Sequence, residues 1–144
     1  MNTAFCPSVV IHYKGGEVKK GYTRNFAFYK ETFSFTEADS VAEAGAVEVE
    51  LEALKAIFFV KDFSGNPEYR PDPTVERNGF GERVEVTFTD SETIIGYTPN
   101  YTESSNGFIL YPSDPESNNE IVAVIRSATQ AVKGLSHYQA FLAT

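Results

Sequence analysis

Two histidines and one cysteine are all the imidazole and thiol side chains this sequence offers, and they stand far apart at His12, His137 and Cys6. A zinc site of the usual His/Cys kind needs about four ligands in close groups. His12 has no Ser or Cys beside it, and Ser136 next to His137 is a neighbour in sequence alone, so no catalytic constellation is visible. Glycine-rich phosphate loops and the Gly-x-Ser-x-Gly elbow are missing as well. Carboxylates are plentiful, but the loop Asp114-Pro-Glu-Ser-Asn-Asn-Glu120 lacks the alternating spacing and the glycine of a calcium loop and reads as an acidic hairpin connection. The stretch 62–66 reads more simply as a turn. No cofactor and no metal are expected.

What remains is binding chemistry. Residues 9–30 hold Lys14, Lys19, Lys20, Arg24 and Lys30 against Glu17 alone, whereas residues 31–52 hold seven acids and no base. Opposite charges on adjacent strands pair across a solvated face, which is the plain reading of that asymmetry. The alternative is a basic, anion-attracting surface made of Lys19, Lys20 and Arg24, with Lys61 and Arg70 further along. A doubled Gly-Tyr-Thr-x-Asn at 21–25 and 96–100 adds Asn25, Tyr97 and Asn100 to the candidate binding residues. Each of these also has a local structural reason to be there, since Tyr packs with a polar tip and Thr and Asn begin turns.

The elements that must position these residues are strands. Twelve Phe and eight Tyr with no Trp lie within Val- and Ile-rich runs, the composition of half-buried pleated surface. Sliding the sequence against itself aligns residues 9–60 with 84–135 at a constant offset of 75, with twelve identities, against about three expected by chance from average residue usage. Val84, Val86 and Phe88 alternate with Glu85, Thr87 and Thr89, and Val9, Ile11 and Tyr13 keep the same phase. His12 falls on the outward phase and reads as a cross-strand polar residue. Gly15-Gly16 predicts a two-residue hairpin, with Asp90-Ser91 in its place in the second copy. Gly21 and Gly96 interrupt the second strands and predict a sharp bend or bulge. Third strands are expected at 32–36 and 107–111, fourth strands at 47–51 and 121–126, and fifth strands at 56–61 and 131–135, with single helical turns at 52–55 and 127–130. Residues 121–125 are apolar on both phases, so that strand should be buried on both faces, with the other copy against one of them.

Between the copies, residues 62–83 carry three prolines and three glycines, which break regular structure. Phe63, Tyr69 and Phe80 give this connector apolar anchors. The expected organisation is therefore a first repeat at 1–61, a connector at 62–83 and a second repeat at 84–144, forming one body. Tyr138, Phe141 and Leu142 predict a terminal helical turn.

The order of strand, tight turn, strand with glycine, strand, strand, helical turn and strand resembles the SH3-like barrels, above all the Sm-like fold. The segments 49–60 and 124–135 are similar to its two closing strands, with Ile125-Arg126-Ser127 where that family tends to have Ile-Arg-Gly. The resemblance implies an all-β chain of two tandem, pseudo-symmetric small barrels of about five strands each. Its RNA-binding Asp-x-x-x-Asn loop is not reproduced, nor are the Arg-x-x-x-Arg and Asp/Asn-x-Ser-x-x-Gly signatures of the cyclic-dinucleotide-binding PilZ barrel. The segment Leu54-Lys-Ala-Ile-Phe-Phe-Val-Lys-Asp-Phe-Ser-Gly-Asn-Pro-Glu-Tyr69, followed by the second copy, is similar to an uncharacterised bacterial family of small all-β proteins. That likeness implies association with bacterial signalling proteins and brings no activity.

Residues 1–8 show no basic stretch leading into an apolar one, and no apolar run reaches about 18 residues, so neither export nor membrane spanning is expected. A lone cysteine suits the reducing cytoplasm. The net charge of −8 opposes nucleic acid. The expectation is a non-catalytic binding or regulatory module for a protein partner or a small anionic ligand, with self-association into a homodimer open. An Sm-like nucleic-acid binder and an enzyme with an unrecognised site are the alternatives.

Overall fold

The structure, a computed structural model, describes residues 7–38, 45–99, 101–102 and 105–135. The expected terminal turn and Asn100 lie outside them. Ten strands follow in order: β1 (Ser8–Tyr13), β2 (Val18–Tyr22), β3 (Thr32–Glu37), β4 (Val47–Glu50), β5 (Leu54–Val60), β6 (Glu82–Phe88), β7 (Thr93–Thr98), β8 (Gly107–Pro112), β9 (Asn119–Ile125) and β10 (Thr129–Gly134). Single 3-10 turns, Leu51–Ala53 and Arg126–Ala128, precede β5 and β10. Each lies a residue earlier than expected, because the fifth strands begin two residues sooner.

All ten strands belong to one open antiparallel sheet, in the order β10-β6-β7-β8-β9-β5-β1-β2-β3-β4. The sequence predicts two tandem five-stranded barrels within one body, but the strands run on as a single sheet because β9 finds its second neighbour in β5. Pairings in the first half recur 75 residues on. Val9 opposite Gly21 is matched by Val84 opposite Gly96, Phe33 opposite Val49 by Phe108 opposite Val124, and Ile11 opposite Ile57 by Val86 opposite Val132. The loop hydrogen bonds follow the same offset. Lys14 N donates to Ala53 O at 3.0 Å and Thr89 N to Ala128 O at 2.8 Å, and Leu51 N to Glu31 O at 3.0 Å is matched by Arg126 N to Asn106 O at 2.8 Å.

The hairpins differ from the two-residue form expected of Gly15-Gly16. Tyr13 N donates to Glu17 O at 2.8 Å, closing a three-residue loop whose last member, Gly16, takes φ +103°. In the second hairpin Ser91 holds the same place at φ +79°. A residue in the left-handed region after a type I turn is how three-residue hairpins match the twist of their strands.

Gly21 and Gly96 are required for room. A Cβ on Gly21 would overlap the Thr36 carbonyl and lie 2.6 Å from the Phe35 ring, and one on Gly96 would overlap the Tyr111 carbonyl and lie 2.9 Å from Leu110. Here β2 and β7 each meet the following strand over only two residue pairs. The register shifts lie elsewhere, between His12 and Tyr13 in the β1–β5 pair, between Thr129 and Ala131 in the β6–β10 pair and between Phe59 and Val60 in the β5–β9 pair.

Two apolar cores sit on opposite faces of the central β5–β9 pair. Val9, Ile11, Phe33, Phe35, Val49, Leu51 and Leu54 build one, joined by Ile57 from β5 and by Ala123 and Ile125 from β9. Val84, Val86, Phe88, Phe108 and Leu110 build the other, joined by Ala56, Phe58, Val60, Val122 and Val124. Alternation along β5 and β9 therefore serves both halves, and the two-sided apolar run at 121–125 is explained.

Gly96→Ala should cost about 1–3 kcal/mol, the usual result of overpacking against backbone that cannot withdraw. Gly15→Ala, with nothing within 4 Å of the new methyl, should stay within about 0.5 kcal/mol of the wild type in the same denaturant titration.

Candidate functional site

The fold distributes the candidate basic residues over different surfaces. Lys19 and Lys20 are neighbours on β2, so their side chains leave opposite faces. Lys19 Nζ lies 5.7 Å from the centre of the Tyr13 ring and 4.0 Å from Glu17. Lys20 Nζ donates to the Phe63 carbonyl at 3.0 Å, and Lys61 Nζ to the Pro115 carbonyl at 2.8 Å. Both ammoniums thus fasten the start of the connector. Arg24 and Asn25 are exposed after β2 and share a recess with Tyr22, Thr23, Ser34, Thr36 and Ala46. Asn25 Oδ1 accepts from Ser34 N at 2.9 Å and Thr23 Oγ1 donates to Ser34 O at 2.8 Å, which ties this loop to β3. Arg70 is exposed in the connector, and Tyr97 is buried with its hydroxyl 3.4 Å from Val75 O. Lys20 and Lys61 are brought to one region, while Lys19 and Tyr97 are not.

Sequence reasoning passed over the most concentrated group of charges. Lys55, on β5 and only 8% exposed, reaches Asp90 at 2.8 Å and pairs with Glu92, both in the β6–β7 turn. Its ammonium also lies 4.8 Å over the Phe88 ring. Burial by itself would lower the Lys55 pKa, but the hydrogen bonds to Asp90 and Glu92 outweigh it and raise the value. The same bond holds the Asp90 carboxyl below the ordinary range. The His12 ring lies tilted against that of Phe58, their centres 4.5 Å apart, and its pKa is lowered by burial and then by the Lys55 charge, against the pull of Glu92 and Asp90. The available signal was a lysine at 55 within a buried strand: an ammonium there must find anions.

A second cluster locks the connector. Asp114, buried in the β8–β9 loop, accepts from Asp72 N and Glu116 N at 2.9 Å each and from the Tyr69 hydroxyl. The Tyr69 bond, followed by the two backbone bonds, lowers the Asp114 pKa, and Tyr69 is pushed up to about 12 by the same bond and then by burial. Asn118 joins Asp62 from both sides, receiving Asp62 N at 3.1 Å and donating to Asp62 O at 2.8 Å. Under the connector lies a cleft of ≈ 200 Å³, floored by Phe58, Ile94, Leu110 and Val122 and walled by Pro71 and Pro73. Among the described residues, no group of three or more His, Cys, Asp or Glu is gathered as a metal would need, and no helix is long and apolar enough to cross a membrane.

The two ends of the sheet are further surfaces able to take a ligand. Among the described residues β4 pairs only with β3 and β10 only with β6. Half of the backbone donors and acceptors along each edge therefore point outward. Val47 on β4 is 55% exposed, whereas Val122, its counterpart 75 residues on, is 2% exposed within the β5–β9 pair.

The chain belongs to DUF6982, a family of unknown function, which matches residues 7–136. No curated protein and no solved structure matches it.

The Lys55 pairs make a definite pH window. A lowered carboxyl gives stability that is present above the ordinary carboxylate pKa and lost as pH falls through the folded value. A raised ammonium gives stability present below the ordinary lysine pKa and lost as pH rises through the folded one. Lys55→Met should lower Tm at neutral pH, and the gap from wild type should narrow as pH falls below about 4 and Asp90 protonates. Thermal melts across pH 3–8 check this, and a gap that is constant across that range would contradict it.

Proposed function

We propose that this member of a family without an assigned activity is a non-catalytic binding module, which recognises a protein partner by strand pairing at the edges of its sheet. The observation that carries the reading is that β4 and β10, among the described residues, each leave one edge of the sheet without a strand partner. Extended segments add to such edges through main-chain hydrogen bonds, while alternate side chains supply selectivity.

The titratable groups support a non-catalytic role. A general acid or base works best with a pKa near the operating pH. Here Lys55 and Tyr69 are moved up and Asp90 and Asp114 down, away from neutrality and each by a partner that ties elements together. The net charge of −8 opposes a nucleic-acid partner, and the lone Cys6 suits the cytoplasm of the expected bacterial host.

Each half reads as one small SH3-like, Sm-like unit. Separate cores and the recurrence of pairings at an offset of 75 support this. The two units share β5 and β9 where isolated barrels would keep their own strands.

One observation favours a second reading. Arg24 lines a recess of ≈ 350 Å³ together with Thr23, Ser34 and Thr36, an arrangement able to receive a small anion. A nucleotide-induced rise in Tm that disappears in Arg24→Ala would establish it, and an equal rise in the variant would dismiss it.

The main reading is tested by co-purification from the native host, using wild type and the edge variants Val47→Asp and Ala131→Asp, both at exposed positions. Proteins held by wild type should fall by about tenfold or more in variants that melt like wild type. Undiminished recovery with both variants overturns edge recognition.

A further inference from the structure

The cleft under the connector combines an apolar floor with a negatively charged wall. Phe58, Ile94, Leu110 and Val122 make the floor, and the volume of ≈ 200 Å³ exceeds the roughly 150 Å³ in which an apolar cavity takes up a benzene ring. Asp114 and Asp72 stand on the wall beside the hydroxyls of Ser113 and Ser117. Ser113, Asp114 and Ser117 are 2%, 5% and 5% exposed. At the offset of 75 the places of Ile94 and Leu110 are taken by Lys19 and Phe35. A cation and a larger ring there make the apolar floor a property of the second half alone.

No positive charge answers the wall. The three donors that Asp114 receives are neutral: Asp72 N and Glu116 N at 2.9 Å each, and the Tyr69 hydroxyl. Asp72 Oδ1 in turn accepts from Thr74 N at 2.9 Å and Thr74 Oγ1 at 2.7 Å. These bonds hold both carboxyls below the ordinary range, Asp114 chiefly through Tyr69 and Asp72 through Thr74, so both are ionised at neutral pH. Among the described residues the ion pairs are made by Lys14, Lys19 and Lys55, none of them at this cleft. The two cations at its margin are engaged elsewhere. Lys61 acts on Asp114 through space while its ammonium donates to the Pro115 carbonyl, and Arg77 donates to the Pro112 carbonyl and covers the Phe80 ring.

A buried carboxylate held by neutral donors alone is left without a counter-ion, which an entering cation supplies through a charge-assisted hydrogen bond. We propose that this cleft binds a small organic cation, a short arylalkyl amine whose ring lies on the floor of Phe58, Ile94, Leu110 and Val122 and whose ammonium meets Asp114. The three ammonium donors match the carboxylate and the hydroxyls of Ser113 and Ser117. The apolar floor sets such a ligand apart from a metal ion, which takes oxygen ligands on most sides. The site is separate from the sheet edges, and the inference is independent of edge recognition.

The test compares three probes of similar shape and different charge on the unaltered chain near pH 7. By calorimetric titration 2-phenylethylamine should bind one to one with a Kd below about 1 mM, 2-phenylethanol at least about tenfold more weakly, and 3-phenylpropanoate more weakly still. Amide shifts in NMR spectra on adding the amine should centre on Ile94, Leu110, Ser113 and Ser117. Ile94→Trp, which fills the floor and leaves every Asp114 bond in place, should abolish amine binding. Asp114→Asn keeps an acceptor for Tyr69 and Asp72 but removes the charge, so amine affinity should fall about tenfold while that of the alcohol holds. The probe series decides even if a variant fails to fold. Equal affinity for amine and alcohol, no saturation by the amine up to about 10 mM, or amide shifts centred away from the cleft each overturns the inference. So does amine binding that a folded Ile94→Trp leaves unchanged.

Discussion

Backbone pairing between β5 and β9 is the constraint on which the molecule depends. Each strand offers alternate side chains to two different cores, so neither core is complete without residues from the other half. Phe58 and Val60 from the first half close the second core, and Ala123 and Ile125 from the second half close the first. A chain of this length could in principle support two small cores, but cores of that size are marginal when separate. Sharing two strands removes two edges and covers the apolar flanks that each half would otherwise expose. Lys55 adds a polar fastening at the same place, reaching from β5 into the β6–β7 turn.

The same economy explains the connector. It must cross from the end of β5 to the start of β6 without forming a strand of its own, and its prolines keep it from doing so. Its path is held by side-chain to backbone bonds, chiefly those made by Asp114 and Asn118. Lys20 and Lys61, two of the residues with the right chemistry for an anion, are engaged with carbonyls, Phe63 at the beginning of this path and Pro115 in the β8–β9 loop. Positive charge in a strand-rich sequence is thus an ambiguous sign, because an ammonium serves a loop carbonyl as readily as a phosphate.

The glycines show how a correct residue can carry an incomplete explanation. Their recurrence at 21 and 96 marked positions where no side chain fits, and a bend was the reading open to a one-dimensional pattern. The cause is instead a carbonyl and a core side chain from the next strand, Phe35 in one half and Leu110 in the other. Gly16 and Ser91 illustrate the converse. A positive φ recurs at the same offset with a different residue, because the hairpin geometry imposes the conformation even where the side chain does not favour it.

By itself the sequence determined the all-β class, the positions of most strands to within a residue or two, the connector and the two-faced burial of residues 121–125. These are legible because alternation, turn residues and composition act over a few neighbouring positions. The strand that completes each core, the partners of Lys55 and the commitment of Lys20 and Lys61 to carbonyls were decided only by the tertiary structure. They depend on contacts between residues tens of positions apart, where many partners satisfy the same local pattern and only the packing of the whole sheet selects one.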